Sequence, residues 1–238
     1  MDTIPIKGID VSNWQGNINW ATVAKSGVAF AYAKATEWTE FVDPSFVTNV
    51  TNAKRAGVHV GAYHFAHPTS DPIAEANHFL SVYTKVETDL LPMLDLELPG
   101  TNVASWAQKW IDHVRSKAGH DVLVYASPSY IQSYRLQPLV GHKLWIADYG
   151  VSSPACAPWP AWTLWQHSQT GAVAGIVGNV DMDLAVSLDA LLKDVPVAHP
   201  ASSPPATPSL ATLPIAERQS LYRQMVSFLQ KLLKVSGK

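Results

Sequence analysis

Between residues 6 and 195, short β-like runs alternate with helical patterns, and this alternation limits the possible folds more than any other property of the chain. KGIDVS (7–12), VAFAYAKAT (28–36), VHVGAYHFA (58–66), LLPMLDLE (90–97), DVLVYAS (121–127) and KLWIADY (143–149) read as buried strands. Between the first five lie WATVAKSG, PSFVTNVTNAKRAG, DPIAEANHFLSVYTKV and NVASWAQKWIDHVRSKAG, which have helical spacing. Pro or Asp stands near several of their starts and Gly just past three of their ends. After 143 the helical patterns fade, leaving TLWQHS (163–168) and NVDMDLA (179–185) as further strands. Alternation of this kind implies a parallel sheet, because parallel neighbours need a crossover long enough to hold a helix. Eight strands with helices only among the first five or six predict an α/β fold closed into a barrel whose last part is strands alone. Periodicity by itself leaves an open doubly wound sheet as the alternative.

The pattern ends near residue 195. Residues 196–213, PVAHPASSPPATPSLATL, hold five prolines and no Asp, Glu, Lys or Arg, which reads as a linker unable to build a core. Residues 214–238 return to a helical pattern, with Leu221, Met225, Phe228, Leu232 and Val235 spaced as a heptad seam. This tail carries five Lys or Arg against one acid, so it predicts self-association or binding to an anionic surface through a basic amphipathic helix. The expected organisation is a barrel over 1–195, a linker over 196–213 and a helix over 214–238.

Composition narrows the function. The chain has 238 residues, of which 47% are hydrophobic and 15% charged, enough apolar material for one large core. A net charge of −2 argues against a nucleic-acid partner. The single cysteine, Cys156, excludes an intrachain disulfide and any CxxC metal signature. The start, MDTIPIKGIDVS, lacks a basic segment followed by an apolar run. The expectation is synthesis in the cytoplasm without a signal peptide and release or export by another route. Nine Trp and eight Tyr are many for this length; such rings fill cores and also stack on sugar faces.

The chemistry centres on LLPMLDLELPG (90–100), an apolar run carrying two carboxylates two residues apart. In a strand, Met93, Asp95 and Glu97 share one face and Leu94, Leu96 and Leu98 the other. Two buried acids side by side are costly unless paired or used. Further acids fall at strand ends: Asp10, and Asp181 or Asp183, which share a face. Tyr63 and His64 close the third strand, Tyr125 the fifth, Trp145, Asp148 and Tyr149 the sixth, and Trp165 and Gln166 the seventh. Functional side chains of an α/β barrel gather at the C-terminal ends of its strands. A mouth of carboxylates and aromatics suits a carbohydrate, with one acid keeping its proton for the leaving oxygen and another ionised beside the positive sugar centre. Neighbouring like charges push two pKa values apart, which gives the i, i+2 pair a mechanistic purpose.

Seven stretches in order, GIDVSNWQG, YAKATE, GAYHFA, MLDLE, LWIADYG, LWQHS and VDMDLA, resemble glycoside hydrolase family 25, the Chalaropsis-type lysozymes found as phage endolysins and bacterial autolysins. The resemblance covers roughly residues 5–190. It implies a flattened β/α barrel ending in strands without helices, and cleavage of the β-1,4 bond between N-acetylmuramic acid and N-acetylglucosamine in bacterial peptidoglycan. It also implies Glu97 as general acid, Asp95 as its partner, and Asp10 and Asp181 as two further acids framing the sugar. Asp181 is preferred over Asp183 because the motif sets the acid directly after Gly178-Asn179-Val180. A retaining route through the substrate's own acetamido group, with Asp95 assisting, is one option the resemblance carries; inversion is the other. Tyr63, His64, Tyr125, Trp145, Trp165, Gln166, Glu37 and Asp183 are the expected substrate contacts.

No cofactor or metal is expected. His59 and His64 face opposite sides of one strand and His67 lies just past it, which is a poor zinc set and leaves His64 as a structural or substrate-contacting residue. Asp10 has a plainer reading as a turn cap beside Ser12 and Asn13, and the aromatics a plainer one as core. Three other functions compete. A chitinase-like DxxDxDxE motif needs acids at 90 and 93, where Leu90 and Met93 stand. A non-catalytic glycan-binding module has no need of four acids, nor does a scaffold whose purpose is its C-terminal helix.

Overall fold

The structure is a computed structural model and describes residues 5–193. The linker at 196–213 and the helix at 214–238 lie outside the described residues. Nine strands form one sheet: β1 (Ile6–Val11), β2 (Phe30–Glu37), β3 (Phe41–Val42), β4 (His59–Phe65), β5 (Met93–Asp95), β6 (Leu123–Ala126), β7 (Leu144–Ala147), β8 (Leu164–Gly171) and β9 (Val180–Ala185). Their order is β1-β9-β8-β7-β6-β5-β4-β2-β3, and an additional β1–β2 pairing closes the eight long-range partners into a barrel, with β3 hanging on the end of β2. The helices are α1 (Trp20–Lys25), α2 (Phe46–Arg55), α3 (Pro72–Tyr83), α4 (Val103–Ala118) and α5 (Pro128–Tyr134). Among the described residues none follows β7, as the fading periodicity after 143 predicts.

Local chemistry sets the helix ends. Asp71 caps α3 by accepting from the Ile73 and Ala74 N–H groups, and Pro72 fills the first position, where no N–H is needed. Ser127 and Pro128 start α5 the same way. That short helix and the β3 hairpin are two elements the sequence patterns did not signal.

The sheet is mixed, which corrects the all-parallel expectation. β9 runs antiparallel to both β8 and β1, while β1, β2, β4, β5, β6, β7 and β8 are parallel. With no helix between β8 and β9, the chain turns back directly and reverses the strand.

The parallel strands β2, β4, β5, β6 and β7 are buried on both faces. Phe30, Tyr32, Leu123, Trp145 and Leu164 fill the interior. Ile9, Val60, Leu94, Leu96, Val124 and Ile146 face outward and pack with Phe79, Trp106 and Trp110 of the helices. Two glycines make the interior possible. A Cβ on Gly8 would lie 2.1 Å from the Phe30 ring, and one on Gly61 would lie 2.2 Å from the Tyr32 ring. These rings occupy the lower barrel, where Leu90 and Leu191 close its base and Leu91 N–H donates to the Leu191 carbonyl at 2.8 Å. The upper half is left for polar groups.

Candidate active site

At the opposite end of the barrel the interior opens into a cleft of about 360 Å³ lined by Asp10, Tyr63, Asp95, Glu97, Tyr125, Trp145, Gln166 and Asp181, with Trp14, Lys34, Phe65 and Tyr149. Asp95 is the last residue of β5, and Glu97 stands two residues beyond it, exposed on the rim. Leu94 before the pair and Leu96 within it are fully buried in the outer layer, so the alternation that puts both acids on one face persists past the strand end.

Asp10 and Asp181 reach the cleft from β1 and β9, where they are direct register partners. Because β9 is reversed, its beginning rather than its end lies at the mouth. Asp183 is paired with Gly8, one step deeper, fully buried and outside the cleft lining. The expected substrate contact at Asp183 is therefore corrected: it lies beneath the site.

Gln166 ties the centre together. Its Nε2 donates to Asp10 Oδ2 at 2.6 Å, and its Oε1 accepts from the Tyr125 hydroxyl at 2.8 Å and from the Tyr149 hydroxyl. Trp145 forms the floor, 4.7 Å from the Tyr32 ring and 5.6 Å from Tyr125, centre to centre.

Crowding and dehydration shift every acid the same way. Burial pushes Asp95 well above the usual carboxylate range, with Glu97 and Asp10 adding repulsion and Lys34 opposing. Burial also raises Asp10 strongly, helped by the charge of Asp181 and opposed by Gln166. Glu97 is raised by partial loss of water against the pull of the Tyr125 hydroxyl and Lys34, and Asp181 is raised by its own partial burial. Each of the two pairs is thus shifted toward the protonated side relative to isolated carboxyls. Asp183 is raised well above the usual range by full burial and by Asp10 and Asp181.

That difference gives an expected outcome. Asp183→Asn replaces an enclosed carboxyl, already shifted toward its neutral form, by an amide of the same shape, so activity should stay within a few-fold of wild type. Asp181→Asn removes a carboxyl from the cleft and should cost roughly tenfold or more. Steady-state rates of the two variants on one substrate decide it, and the reverse order would place the working aspartate at 183.

Three more expected contacts are corrected. His64 is fully buried on the outer face of β4, where its ring stacks 5.4 Å from Trp110 and bonds Glu75 and Thr36 at 2.8 Å each. Trp165 alternates with Gln166 and so points out of the barrel, donating to the Asp148 carbonyl at 2.7 Å and packing near Trp162. Glu37 does not line the cleft; it binds Lys34 Nζ at 2.5 Å and His67 Nε2 at 3.0 Å. Those two contacts outweigh the effect of its partial burial and hold it below the usual range. Lys34 went unnoticed in the sequence, although it continues the inward series Phe30, Tyr32 at the same spacing. Among the described residues it is the one Lys or Arg lining the cleft. Trp14 and Phe65 carry no signal in the sequence, whereas Tyr149 lines the cleft at the end of the sixth predicted strand. Among the described residues, no group of three or more His, Cys, Asp or Glu is arranged to hold a metal ion.

Comparison with known proteins adds independent information. Residues 9–176 match the family model described as Glycosyl hydrolases family 25. The chain is 37% identical over 198 residues to Lysozyme M1 of Streptomyces globisporus, covering 76% of this chain and 67% of that protein. It is 33% identical over 182 residues to the autolytic lysozyme of Clostridium acetobutylicum, covering 75% of this chain and 55% of that one. It thus spans between about half and two thirds of these relatives' lengths. The crystal structure of a bacterial lysozyme from Streptomyces coelicolor superimposes with a TM-score of 0.70 at 35% identity, covering 76% of this chain and 92% of that one.

Proposed function

The chain belongs to glycosyl hydrolases family 25, and on that premise we propose that it is a lysozyme, an N-acetylmuramidase cutting the β-1,4 bond between N-acetylmuramic acid and N-acetylglucosamine in bacterial peptidoglycan. The observation that carries this reading is the pairing of Glu97, open to the cleft, with Asp95, enclosed behind it on the same strand face. Glu97 protonates the glycosidic oxygen as the bond breaks. Asp95, in its ionised form, supports the positive charge that develops on the sugar or on its acetamido group. Asp10 and Asp181 face the same sugar from the opposite wall, and Gln166 fixes the orientation of Asp10.

Purified cell walls should lose turbidity on treatment, and the fragments should carry N-acetylmuramic acid at the new reducing end. N-acetylglucosamine at that end, or no cleavage, would overturn the assignment. The basic stretch at 214–238 supports a second role in self-association or anionic-surface binding. Light scattering and whole-cell binding of the full chain and of a chain ending near 195 test it; equal behaviour of the two would sink it.

Lys34 sets where this acid cluster titrates. Its charge lowers both Asp95 and Glu97. Removing it raises both: ionisation of Asp95 then needs a higher pH, and Glu97 keeps its proton to a higher pH. Lys34→Gln should therefore move both limbs of the pH–rate profile toward alkaline values, whereas Lys34→Arg should not. A profile that falls in height without moving would remove Lys34 from this role.

A further inference from the structure

The turn after β2 carries a tryptophan in a backbone conformation that suits only glycine well. Trp38 has φ +50°, in the left-handed region, and its side chain is nonetheless 43% exposed. Burial does not explain such a residue, and strained positions of this kind concentrate where a ligand is held. Its place in the barrel indicates which ligand. β2 is one of the parallel strands, so the turn at its C-terminal end stands on the mouth rim, and Trp38 N–H donates to the Phe65 carbonyl at 3.2 Å. Phe65 and Lys34 line the cleft, and the Lys34 ammonium lies 4.6 Å from the Phe65 ring centre and 5.6 Å from that of Phe41, across the hairpin from Trp38. His67 links the two sides, its ring centre 6.2 Å from that of Trp38 and 5.9 Å from that of Phe65, so Trp38 is joined to the cleft wall through a series of rings.

The platform is held in place before any ligand arrives. Phe41 pairs with Glu37, its carbonyl accepts from His78 Nε2 at 2.9 Å, and the neighbouring loop is tied in by Asn13 N–H donating to Asp43 Oδ2 at 2.9 Å. A cleft of about 360 Å³ encloses only a short stretch of a polysaccharide, so a longer strand must continue over the rim.

We propose that Trp38, on the hairpin that also carries Phe41, is a distal glycan subsite that stacks on a sugar ring of the strand beyond those held at Asp95 and Glu97. This rests on the muramidase reading of the cleft.

The test uses full-length protein carrying Glu97→Gln, so that bound glycan is not consumed. Calorimetric titration compares long peptide-free glycan strands with a tetrasaccharide of the same polymer. Adding Trp38→Gly should raise the Kd for long strands about five- to tenfold and leave that for the tetrasaccharide as it was. Trp38→Phe should keep most of the affinity. Glycine fits φ +50° without strain, so the melting temperature should hold or rise, separating lost stacking from lost folding. Equal weakening for both ligands, no weakening for either, or a lower melting temperature would overturn the subsite. Failure of the parent reading looks different: the unmutated enzyme would cleave no glycan at all.

Discussion

Glu97→Gln should reduce hydrolysis of peptidoglycan by about 10²–10⁴-fold while leaving the fold intact. The amide keeps the size and polarity of the side chain on an exposed rim, so little in packing changes. What it loses is the proton for the leaving oxygen, and no other group on that rim replaces it. Asp10, Asp95 and Asp181 lie deeper in the barrel, at strand positions rather than beyond a strand end. Turnover on solubilised glycan fragments, read beside a thermal melt, is the measurement. Activity within a few-fold of wild type would remove Glu97 as the acid. Asp95→Asn should also be severe, and it should alter the pH profile as well, because Asp95 and Glu97 titrate together and the repulsion that raises Asp95 comes in part from Glu97.

The largest effect on stability should come from Glu75, a residue outside the cleft. Glu75 is fully buried; one oxygen accepts from His64 Nε2 at 2.8 Å and from the His67 backbone N–H at 3.1 Å, and the other from the Ser70 hydroxyl. It ties α3 to β4 and to the loop between them. Thr36 holds the second ring nitrogen of His64 at 2.8 Å, and Phe79 and Trp110 pack on the ring. Glu75→Leu strands the buried His64 ring and two half-buried donors at once and should destabilise the protein by about 3–5 kcal/mol, as for other broken buried pairs. For a domain of this size that lowers Tm by roughly 6–20 °C. Denaturant unfolding of the variant within about 1 kcal/mol of wild type would contradict this account.

The same network adds a pH dependence with a definite sign. Burial lowers the His64 pKa below the ordinary imidazole value, against the pull of Glu75. The unfolded chain then binds the proton more readily than the folded one. This contribution is fully present above the unfolded pKa and is lost as pH falls through the folded one. The cleft acids act in the opposite sense. Their folded pKa values are raised, so stability from their protonation is present at low pH and fades as pH rises through those values.

The placement of His64 shows why part of the site was hidden in the sequence. The strand VHVGAYHFA announces itself, but its two faces are both dry: Tyr63 looks into the barrel and His64 into the helix layer. In a sheet with one wet face, polarity would tell the faces apart; here a histidine and a tyrosine are equally plausible on either. Trp165 and Gln166 present the same ambiguity, and only the hydrogen bond from Gln166 to Asp10 resolves it.

What the sequence determined by itself was whatever depends on neighbours along the chain. The strand–helix alternation, the fading of helices after residue 143, and the common face of Asp95 and Glu97 follow from spacing alone, because side-chain direction in a strand repeats every two residues. What the tertiary structure decided was whatever depends on strand direction and on which side is the inside. Asp181 and Asp183 are equivalent by spacing. Only the antiparallel pairing of β9 brings Asp181 level with Asp10 at the mouth and drops Asp183 beneath it. That direction comes from a chain reversal between β8 and β9 and from closure onto β1, contacts between residues as much as 179 positions apart that no local pattern encodes.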